Sequence, residues 1–276
     1  MEYKYIPKLG RRVSSIGLGT GGRRTERSEE ASWTSAIRRA LELGILLIDT
    51  AEIYSDGFAE EVVGKAVREW GGSREDLFIV TKIHPRNLAS EESIRRSISG
   101  SLRRLGLDYV DSYLIHWLEE GVVLRDALKV LEKLWKEGLA RSLGVSNFTL
   151  ERIEEARSYL SYTDIAVVEN RYSLTKRDDE KSVIPYCERE GILYLAYTPI
   201  DKGVLAGNSL LREVGVRYGR TPIQVALNWY TRFKMLVPIP RASTIPHVEE
   251  IAGSTGWSLE EEDWNLIDKA FRKTDQ

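Results

Sequence analysis

Short apolar runs alternate along the chain with longer stretches in which apolar and polar residues recur at a helical period. The short runs are rich in Ile, Leu and Val and show little alternation, which is typical of parallel strands covered on both faces. The pattern predicts eight strands, at Ser15–Gly19, Leu46–Thr50, Phe78–Lys82, Val110–His116, Arg141–Ser146, Ile165–Asn170, Ile192–Tyr197 and Leu236–Ile239.

Capping residues and glycines mark the ends of the helices between these strands. A Ser or Thr at the N-cap accepts a hydrogen bond from the first turn, and a following Gly takes up the left-handed conformation that ends a helix. Pro222 suits a first turn, where no N–H donor is needed. Helix starts are predicted at Ser28, Ser90, Thr149 and Thr221, and helix ends at Gly44, Gly106, Gly138 and Gly191.

Eight strand–helix repeats in 276 residues predict an α/β fold, a (β/α)8 TIM barrel that forms one domain over residues 1–276. An open doubly wound sheet is the alternative fold. Before the first barrel strand, Lys4–Val13 is interpreted as a β-hairpin that turns at Leu9–Arg11 and could close the bottom of the barrel. The stretch Pro199–Arg220 contains four glycines and predicts a mobile loop over the site.

Composition and charge exclude several classes of protein. The chain has 40 basic and 42 acidic residues, so it has no basic surplus for binding nucleic acid. Cys187 is the only cysteine, which rules out an internal disulfide, and no metal site is expected. No apolar run approaches the length of a membrane span and Met1–Tyr5 has no signal core, so we expect a cytoplasmic protein without membrane contact. No segment is recognisable as an interface, which is compatible with a monomer.

Polar side chains end three consecutive predicted strands. Asp49 ends the second strand and Tyr54 lies in the loop after it, while Lys82 ends the third strand and His116 the fourth. A barrel places its active site at the carboxyl ends of its strands, so we expect these four side chains at one mouth. Alone, Asp49 would be interpreted as a cap or turn residue, Tyr54 as a packing residue and His116 as a structural histidine. Lys82 is less easily explained, because burying an ammonium without a partner is costly. Their succession on neighbouring strands favours a catalytic site.

These four groups suit proton transfer to an oxygen atom. A phenol is a poor acid at neutral pH because its pKa is about 10, and a neighbouring ammonium makes its proton easier to release. We therefore expect Lys82 to assist Tyr54, Asp49 to keep Lys82 charged, and His116 to donate a hydrogen bond to a carbonyl oxygen. Tyr54 is then the general acid of carbonyl reduction, or the base of alcohol oxidation.

The chain resembles the aldo-keto reductase superfamily, whose members carry an Asp, Tyr, Lys and His tetrad on a (β/α)8 barrel. Asp49, Tyr54, Lys82 and His116 match that tetrad in type and spacing. Other segments that resemble the family are Ile16–Thr20, Gly144–Phe148, Tyr197–Ile200, Lys202–Leu205 and Ile239–Thr244. The resemblance implies an NAD(P)H-dependent enzyme that reduces aldehydes or ketones reversibly.

The resemblance also implies a nicotinamide cofactor, with NADPH favoured over NADH. It assigns Ser146 and Asn147 to the carboxamide, Tyr197 to the face of the nicotinamide ring, Arg241 to the 2′-phosphate and Glu250 to the adenine. A tyrosine ring offers a flat apolar face, and a guanidinium suits a phosphate. The expected cofactor-binding residues are Gly19, Thr20, Asp49, Ser146, Asn147, Glu169, Tyr197, Thr198, Leu205, Arg241, Ser243, His247 and Glu250.

Two positions depart from the family pattern. Glu169 stands where family members usually have Gln, and a carboxylate accepts hydrogen bonds but cannot donate one unless it is protonated. It is still expected to contact the cofactor. His247 stands at a second basic position near the phosphate, so a weaker selectivity for NADPH is expected. On the substrate side, Tyr54, His116 and Trp117 are expected to contact the small carbonyl compound, although packing would equally explain Trp117.

Three other interpretations are open. Gly17–Gly22 also fits the G-x-G-x-x-G pattern of a Rossmann fold, but Asp49 comes 30 residues after Gly19 rather than about 20, and that fold leaves Lys82 and His116 unexplained. A Schiff-base aldolase could use Lys82 as its nucleophile. An NADPH-binding redox-sensing or regulatory subunit of the same fold is the non-enzymatic alternative, and the intact tetrad argues against it.

Overall fold

An antiparallel hairpin precedes the main sheet in the computed structural model, which describes residues 1–22 and 25–272. Strands β1 (Tyr3–Ile6) and β2 (Arg11–Ser14) pair along their whole length. A short 3-10 turn over Pro7–Leu9 joins them and ends at Gly10, whose φ of 62° is a left-handed conformation that glycine adopts at little cost. The predicted hairpin is confirmed.

Eight parallel strands form the main sheet, and they follow the order of the chain. Each predicted strand is confirmed, with ends that differ by a few residues at most. The strands are β3 (Leu18–Gly19), β4 (Leu47–Asp49), β5 (Phe78–Ile83), β6 (Ser112–Ile115), β7 (Leu143–Ser146), β8 (Ile165–Arg171), β9 (Leu193–Tyr197) and β10 (Leu236–Ile239).

The first and last strands of this sheet meet, so the sheet closes on itself. Gly19 donates its backbone N–H to the carbonyl oxygen of Pro240 at 3.0 Å and pairs in parallel with Arg241. A Cβ atom at Gly19 would lie 2.9 Å from the carbonyl oxygen of Ile239, so this contact needs a glycine. The fold is therefore a (β/α)8 barrel. The doubly wound and Rossmann alternatives are wrong, because both leave the sheet open.

Helices surround the barrel, and three of the predicted N-caps are confirmed. The hydroxyl groups of Ser90, Thr149 and Thr221 each accept a hydrogen bond from the first turn of the helix that follows. The helices are α1 (Glu30–Glu42), α2 (Phe58–Trp70), α3 (Glu91–Leu105), α4 (Leu124–Lys136), α5 (Leu150–Ser158), α6 (Val183–Glu190), α7 (Ser209–Tyr218), α8 (Pro222–Trp229), α9 (Ile245–Ala252) and α10 (Glu261–Arg272). None of the described helices is both long and apolar enough to cross a bilayer.

The predicted start of the first helix at Ser28 is wrong. Ser28 lies inside a 3-10 turn over Arg27–Glu29, and α1 begins at Glu30. The side chains of Glu26 and Glu29 form a capping box around this turn, each accepting a backbone hydrogen bond of the other. The reciprocal pair of glutamates satisfies the free N–H groups in place of a serine.

The stretch Pro199–Arg220, predicted as a mobile loop, is largely helical. A 3-10 turn over Asp201–Gly207 is followed by α7, whose first turn is capped by Asn208 at 3.0 Å. Gly215 lies inside α7 at a position that needs a glycine, because a Cβ atom there would lie 2.4 Å from a backbone carbonyl oxygen. Gly219 ends the helix with a φ of 63°. These glycines serve close packing and helix termination rather than a loop.

Apolar side chains fill the interior of the barrel as well as the layer between sheet and helices. Ile6 and Val13 of the hairpin belong to the interior cluster and are almost fully buried. They pack with Phe78 and Leu193, which begin their strands, so the hairpin covers the amino end of the barrel. The opposite, carboxyl end is left for polar side chains.

Candidate active site

The four predicted catalytic residues lie together at the carboxyl ends of β4, β5 and β6. Asp49 is the last residue of β4, Lys82 is near the end of β5, and His116 directly follows β6. Tyr54 begins a short 3-10 turn over Tyr54–Gly57 that leads from β4 into α2. Parallel pairing of these strands places the three ends side by side.

Lys82 is at the centre of the contacts among these residues. Its Nζ lies 2.5 Å from Asp49 Oδ1, 2.9 Å from the carbonyl oxygen of Thr50 and 3.4 Å from the phenol oxygen of Tyr54. The lysine side chain has no exposed surface. An ammonium in such a place is stable only when it is paired, and Asp49 is its closest partner.

Burial and neighbouring charges have opposite effects on the pKa values of Tyr54 and Lys82. Burial alone would lower the pKa of Lys82, but the carboxyl groups of Asp49 and Glu169 outweigh it and raise that pKa, so the side chain stays an ammonium. Burial raises the pKa of Tyr54, and Lys82 only partly offsets this. The charge of Lys82 acts in the expected direction, but burial dominates and the net pKa of Tyr54 is raised. Tyr54 is therefore protonated and able to donate.

His116 is a neutral hydrogen-bonding group. Burial, followed by the charge of Lys82 and a contribution from His84, lowers the pKa of His116 to about 2. Its ring meets that of Tyr54 edge to face, with centroids 5.5 Å apart. Asn147 Nδ2 donates to its carbonyl oxygen at 2.9 Å and so holds the backbone. A neutral imidazole next to the phenol can donate a hydrogen bond to the same oxygen as Tyr54.

Gly21 lies against the ring of Tyr54, a contact that sequence reasoning missed. A Cβ atom at Gly21 would be 2.6 Å from Cζ and 2.9 Å from the phenol oxygen of Tyr54. Thr20 stabilises this stretch by donating its N–H and its hydroxyl to the carbonyl oxygen of Asp49, at 2.9 and 3.0 Å. The Gly17–Gly22 segment shows a glycine pattern, but no pattern reveals which side chain a glycine faces.

The turn that carries Tyr54 has an unusual backbone. Ser55 and Asp56 have φ values of 52° and 57°, in the left-handed region that residues with a Cβ atom rarely adopt. Such conformations cost on the order of 1–3 kcal/mol each and concentrate at functional sites. The Ser55 hydroxyl accepts a hydrogen bond from the N–H of Thr25 at 2.7 Å, which helps to hold the turn.

A second group of polar side chains follows β7 and β9. Ser146 is the buried end of β7, and Asn147 follows it at φ 60°. Asn147 Oδ1 accepts a hydrogen bond from the hydroxyl group of Tyr197 at 2.7 Å, while its Nδ2 donates to the Ser146 hydroxyl at 3.0 Å. Thr198, after Tyr197, has a φ of 58°. The three polar side chains are thus linked beside the tetrad.

Glu169 extends from β8 into the tetrad. Its Oε2 lies 3.2 Å from Lys82 Nζ and has no hydrogen-bond partner among the described residues. Its backbone carbonyl oxygen accepts from the N–H of Asn147 at 3.0 Å. Burial, followed by the negative charge of Asp49, raises the pKa of Glu169 well above its usual range. The sequence placed Glu169 at the cofactor but gave no sign of this contact with Lys82.

The residues expected near the phosphate follow β10. The Arg241 guanidinium lies over the ring of Trp33, 4.6 Å from its centroid, a cation–π contact that helps to fix its position. The carbonyl oxygen of Ser243 accepts from the Ser32 hydroxyl at 2.8 Å. His247 is exposed in the first turn of α9. Arg241 is therefore presented on a rigid aromatic support.

Glu250 and Leu205, the two remaining residues expected to bind the cofactor, make their contacts away from the tetrad. Glu250, in α9, accepts a hydrogen bond at its Oε1 from the Thr221 hydroxyl at 2.7 Å, next to the start of α8. Leu205 is buried in the 3-10 turn after β9. Neither residue contacts Asp49, Tyr54 or Lys82 by any hydrogen bond or ion pair among the described residues.

Trp117 and His84 form an aromatic side of the mouth. Trp117 meets the ring of His116 at 4.6 Å and that of His84 at 4.8 Å, both edge to face. Its indole N–H donates to Glu119 Oε1 at 3.2 Å. Sequence reasoning named Trp117 but missed His84, although His84 follows β5 just as His116 follows β6.

Together these contacts bring a phenol, a buried ammonium and a neutral imidazole to one mouth of the barrel. Comparison with known proteins gives the family. A model described as the Aldo/keto reductase family matches residues 15–272. The chain therefore belongs to the aldo/keto reductase family and is an NAD(P)H-dependent oxidoreductase.

Several members of the family are similar over nearly the whole chain. Methylglyoxal reductase YeaE of Escherichia coli is 32% identical over 94% of this chain and 91% of its own length. Glyoxal reductase of Bacillus subtilis is 33% identical over 95% of this chain and 91% of its own length. A crystal structure of an aldo/keto reductase from Klebsiella pneumoniae with NADP and acetate has 30% identity and a TM-score of 0.88, covering 98% and 96% of the two chains.

Proposed function

We propose that this protein reduces the carbonyl group of small aldehydes and ketones, including 2-oxoaldehydes, with hydride from NADPH and a proton from Tyr54. The observation that carries the proposal is the buried Lys82 ammonium, 3.4 Å from the phenol oxygen of Tyr54 and 2.5 Å from Asp49. This arrangement stabilises the phenolate that remains after proton transfer. The same groups run in reverse for alcohol oxidation.

The order of events follows from the contacts. Tyr54 and His116 donate hydrogen bonds to the carbonyl oxygen of the substrate, which polarises the carbonyl bond and fixes its orientation. A bound nicotinamide, held by the residues named below, would supply hydride to the carbonyl carbon. As negative charge develops on the oxygen, Tyr54 gives up its proton to that oxygen and becomes a phenolate beside Lys82. Asp49 keeps the lysine in place throughout.

The residues present fit a nicotinamide cofactor. Glu169 Oε2 is buried, makes no hydrogen bond among the described residues and lies 3.2 Å from the Lys82 ammonium, so it can still accept a hydrogen bond from a ligand amide. Ser146 and Asn147 add a hydroxyl and an amide next to it, and Tyr197 adds a half-buried ring. We assign these four to the nicotinamide end and Arg241, on its aromatic support, to the 2′-phosphate.

We propose small 2-oxoaldehydes as the first substrates to test. Two relatives, from Escherichia coli and Bacillus subtilis, are named as methylglyoxal and glyoxal reductases. In this chain Trp117 and His84 line one side of the mouth and would contact the part of the substrate beyond the carbonyl. A flat aromatic wall favours compounds with an apolar or aromatic substituent over polar sugars.

A Schiff-base aldolase fits the site less well. An attacking lysine must be an uncharged amine, whereas the carboxyl groups around Lys82 raise its pKa and keep it an ammonium. A purely regulatory barrel would need none of the contacts between Lys82 and Tyr54. Neither alternative therefore explains why a buried Lys82 ammonium lies next to the phenol of Tyr54.

The experiment is NADPH oxidation followed by absorbance, with methylglyoxal, glyoxal, benzaldehyde, simple ketones and aldose sugars as substrates. We expect turnover with the aldehydes and its near loss in Tyr54→Phe. Tyr5→Phe, an exposed tyrosine on β1, is the matched control and should not change the rate. The absence of NADPH oxidation with every carbonyl compound, in protein that is folded and binds NADPH, would contradict the proposal and favour the regulatory alternative.

A further inference from the structure

One ammonium serves two carboxyl groups at the mouth of the barrel. Lys82 Nζ lies 2.5 Å from Asp49 Oδ1 and 3.2 Å from Glu169 Oε2. The three side chains are each 3% exposed or less. We refer to Asp49, Lys82 and Glu169 as the buried charge cluster. If both carboxyl groups ionise, the cluster carries one uncompensated negative charge away from water.

Among the residues that the structure describes, the other titratable groups that face Glu169 bring no second buried cation. Tyr54, after β4, and Tyr197, at the end of β9, are phenols with raised pKa values, first because of burial, and are neutral. His116, after β6, has its pKa lowered to about 2, mainly by burial, and is neutral as well. Arg171, at the end of β8, is exposed, so its charge is screened by water.

Two carboxyl groups that share one cation in a buried site do not both ionise readily, because like charges at this distance repel and neither is hydrated. Such a pair keeps one proton between its members. Asp49 is nearer to the ammonium, so it is the better candidate for the charged form. Burial, followed by the negative charge of Asp49, raises the pKa of Glu169, which favours the neutral form of this carboxyl group.

We propose that Glu169 holds this proton in the free enzyme and in the complex with the reduced cofactor, and releases it to solvent when the oxidised cofactor binds. The inference rests on the proposed function, which requires the nicotinamide next to the carbon whose oxygen Tyr54 protonates. Tyr54 is itself in contact with Lys82. The oxidised nicotinamide is a cation and the reduced one is neutral. Only the oxidised form brings the second positive charge that a Glu169 carboxylate needs.

Charge balance explains why the proton leaves in one complex only. With the oxidised ring bound, two positive charges face two carboxylates, and nothing is oxidised or reduced by the release. The affinity for NADP⁺ then rises with pH, by up to about tenfold per pH unit while Glu169 is protonated in the free enzyme and ionised in the complex. The affinity for NADPH lacks this dependence. A glutamine at position 169 has no proton to release in this way, so it could not couple proton release to binding of the oxidised cofactor.

The test is isothermal titration calorimetry of the whole protein with NADP⁺ and with NADPH, each in two buffers of different ionisation enthalpy. The difference in heat between buffers counts the protons that binding releases. Both cofactors carry the same 2′-phosphate, so its protonation cancels in the comparison. We expect NADP⁺ to release about one proton more than NADPH. This comparison needs no variant, so it does not depend on whether a substitution folds.

Two variants identify the source of the proton. Glu169→Gln should bind both cofactors without the extra release, and Tyr54→Phe should retain it. Equal release with both cofactors in the wild type, unchanged release in Glu169→Gln, or loss of release in Tyr54→Phe would each overturn the inference while leaving carbonyl reduction intact. A protein that bound neither cofactor and reduced no carbonyl compound would instead overturn the proposed function.

Discussion

The ammonium of Lys82 and the phenol oxygen of Tyr54 lie 3.4 Å apart inside a site from which water is largely excluded. In such surroundings a neighbouring charge acts far more strongly than it does in water. The charge of Lys82 therefore acts directly on the phenol of Tyr54. Substitutions of the two residues should differ in their effects on kcat and on the free energy of unfolding.

Tyr54→Phe removes the proton donor but keeps the ring. General acid catalysis contributes roughly 10²- to 10⁴-fold, so we expect kcat to fall by that factor for methylglyoxal reduction. The dissociation constant of NADPH should not change. Steady-state kinetics and fluorescence titration measure the two quantities, and a kcat near that of the wild type would show that another group protonates the oxygen.

Lys82→Met leaves the Asp49 and Glu169 carboxyl groups buried without a cation. Removing one partner of a buried pair costs about 3–5 kcal/mol, so the free energy of unfolding in urea should fall by that amount and kcat should fall as in Tyr54→Phe. Lys65→Met is the matched control, because Lys65 pairs with Glu30 at 2.6 Å but is 41% exposed. Such surface pairs contribute about 0–1 kcal/mol. Equal losses in the two variants would contradict the role of Lys82.

Gly21→Ala should displace the general acid. The added Cβ would lie 2.6 Å from Cζ of Tyr54, closer than atoms can approach, so the ring must move. A misplacement of about 1 Å can cost on the order of 10²-fold, and we expect kcat to fall at least tenfold. Gly207→Ala has open space around its Cβ atom and is the control. A kcat unaffected by Gly21→Ala would show that the tyrosine tolerates the shift.

Arg241→Ala tests selectivity between the two cofactors. A hydrogen bond to a charged group contributes about 1.5–3 kcal/mol, so the dissociation constant of NADPH should rise about 10- to 100-fold. NADH lacks the 2′-phosphate and should bind as before. Arg241→Lys should fall between the two, because an ammonium lacks the planar fork of a guanidinium. An equal loss of affinity for both cofactors would place Arg241 away from the phosphate.

Glu169→Gln should change the pH dependence of stability. The pKa of Glu169 is raised in the folded protein, so the wild type loses stability as pH rises from about 4.5, the ordinary value, towards the folded pKa. Glutamine does not titrate, so the stability of the variant relative to wild type should increase across that window, by up to about 1.4 kcal/mol per pH unit. Urea unfolding at several pH values measures this. Glu154→Gln, an exposed control, should show no such trend.

The barrel and the tetrad were predictable because both depend on short-range patterns. A strand covered on both faces is a continuous apolar run, and the polar residue that ends it lies at the mouth by the rule of the fold. Asp49, Lys82 and His116 each ended such a run. Tyr54 then followed from the chemistry that the other three require.

Contacts across the barrel were not predictable in this way. Glu169 is on β8 and Lys82 on β5, which are separated by two strands in the sheet, and the curvature of the barrel brings them together. The same applies to Gly21, whose neighbour is set by the path of the loop. Glycines also misled the interpretation of Pro199–Arg220, because Gly215 is required by helix packing, which the sequence does not show. The sequence signals that could have indicated these elements were the capping residues: Asn208 before α7 and Glu26 before the 3-10 turn that precedes α1.

The hairpin at the amino end has a consequence for proton traffic. Lys4 of β1 anchors it by donating to the carbonyl oxygens of Phe233 and Leu236, each at 2.7 Å, and Ile6 and Val13 stop the lower opening with hydrocarbon. The hairpin thus closes the amino end of the barrel. A proton that Glu169 releases on binding of the oxidised cofactor should therefore leave at the carboxyl end of the barrel, on the side where the nicotinamide is proposed to bind.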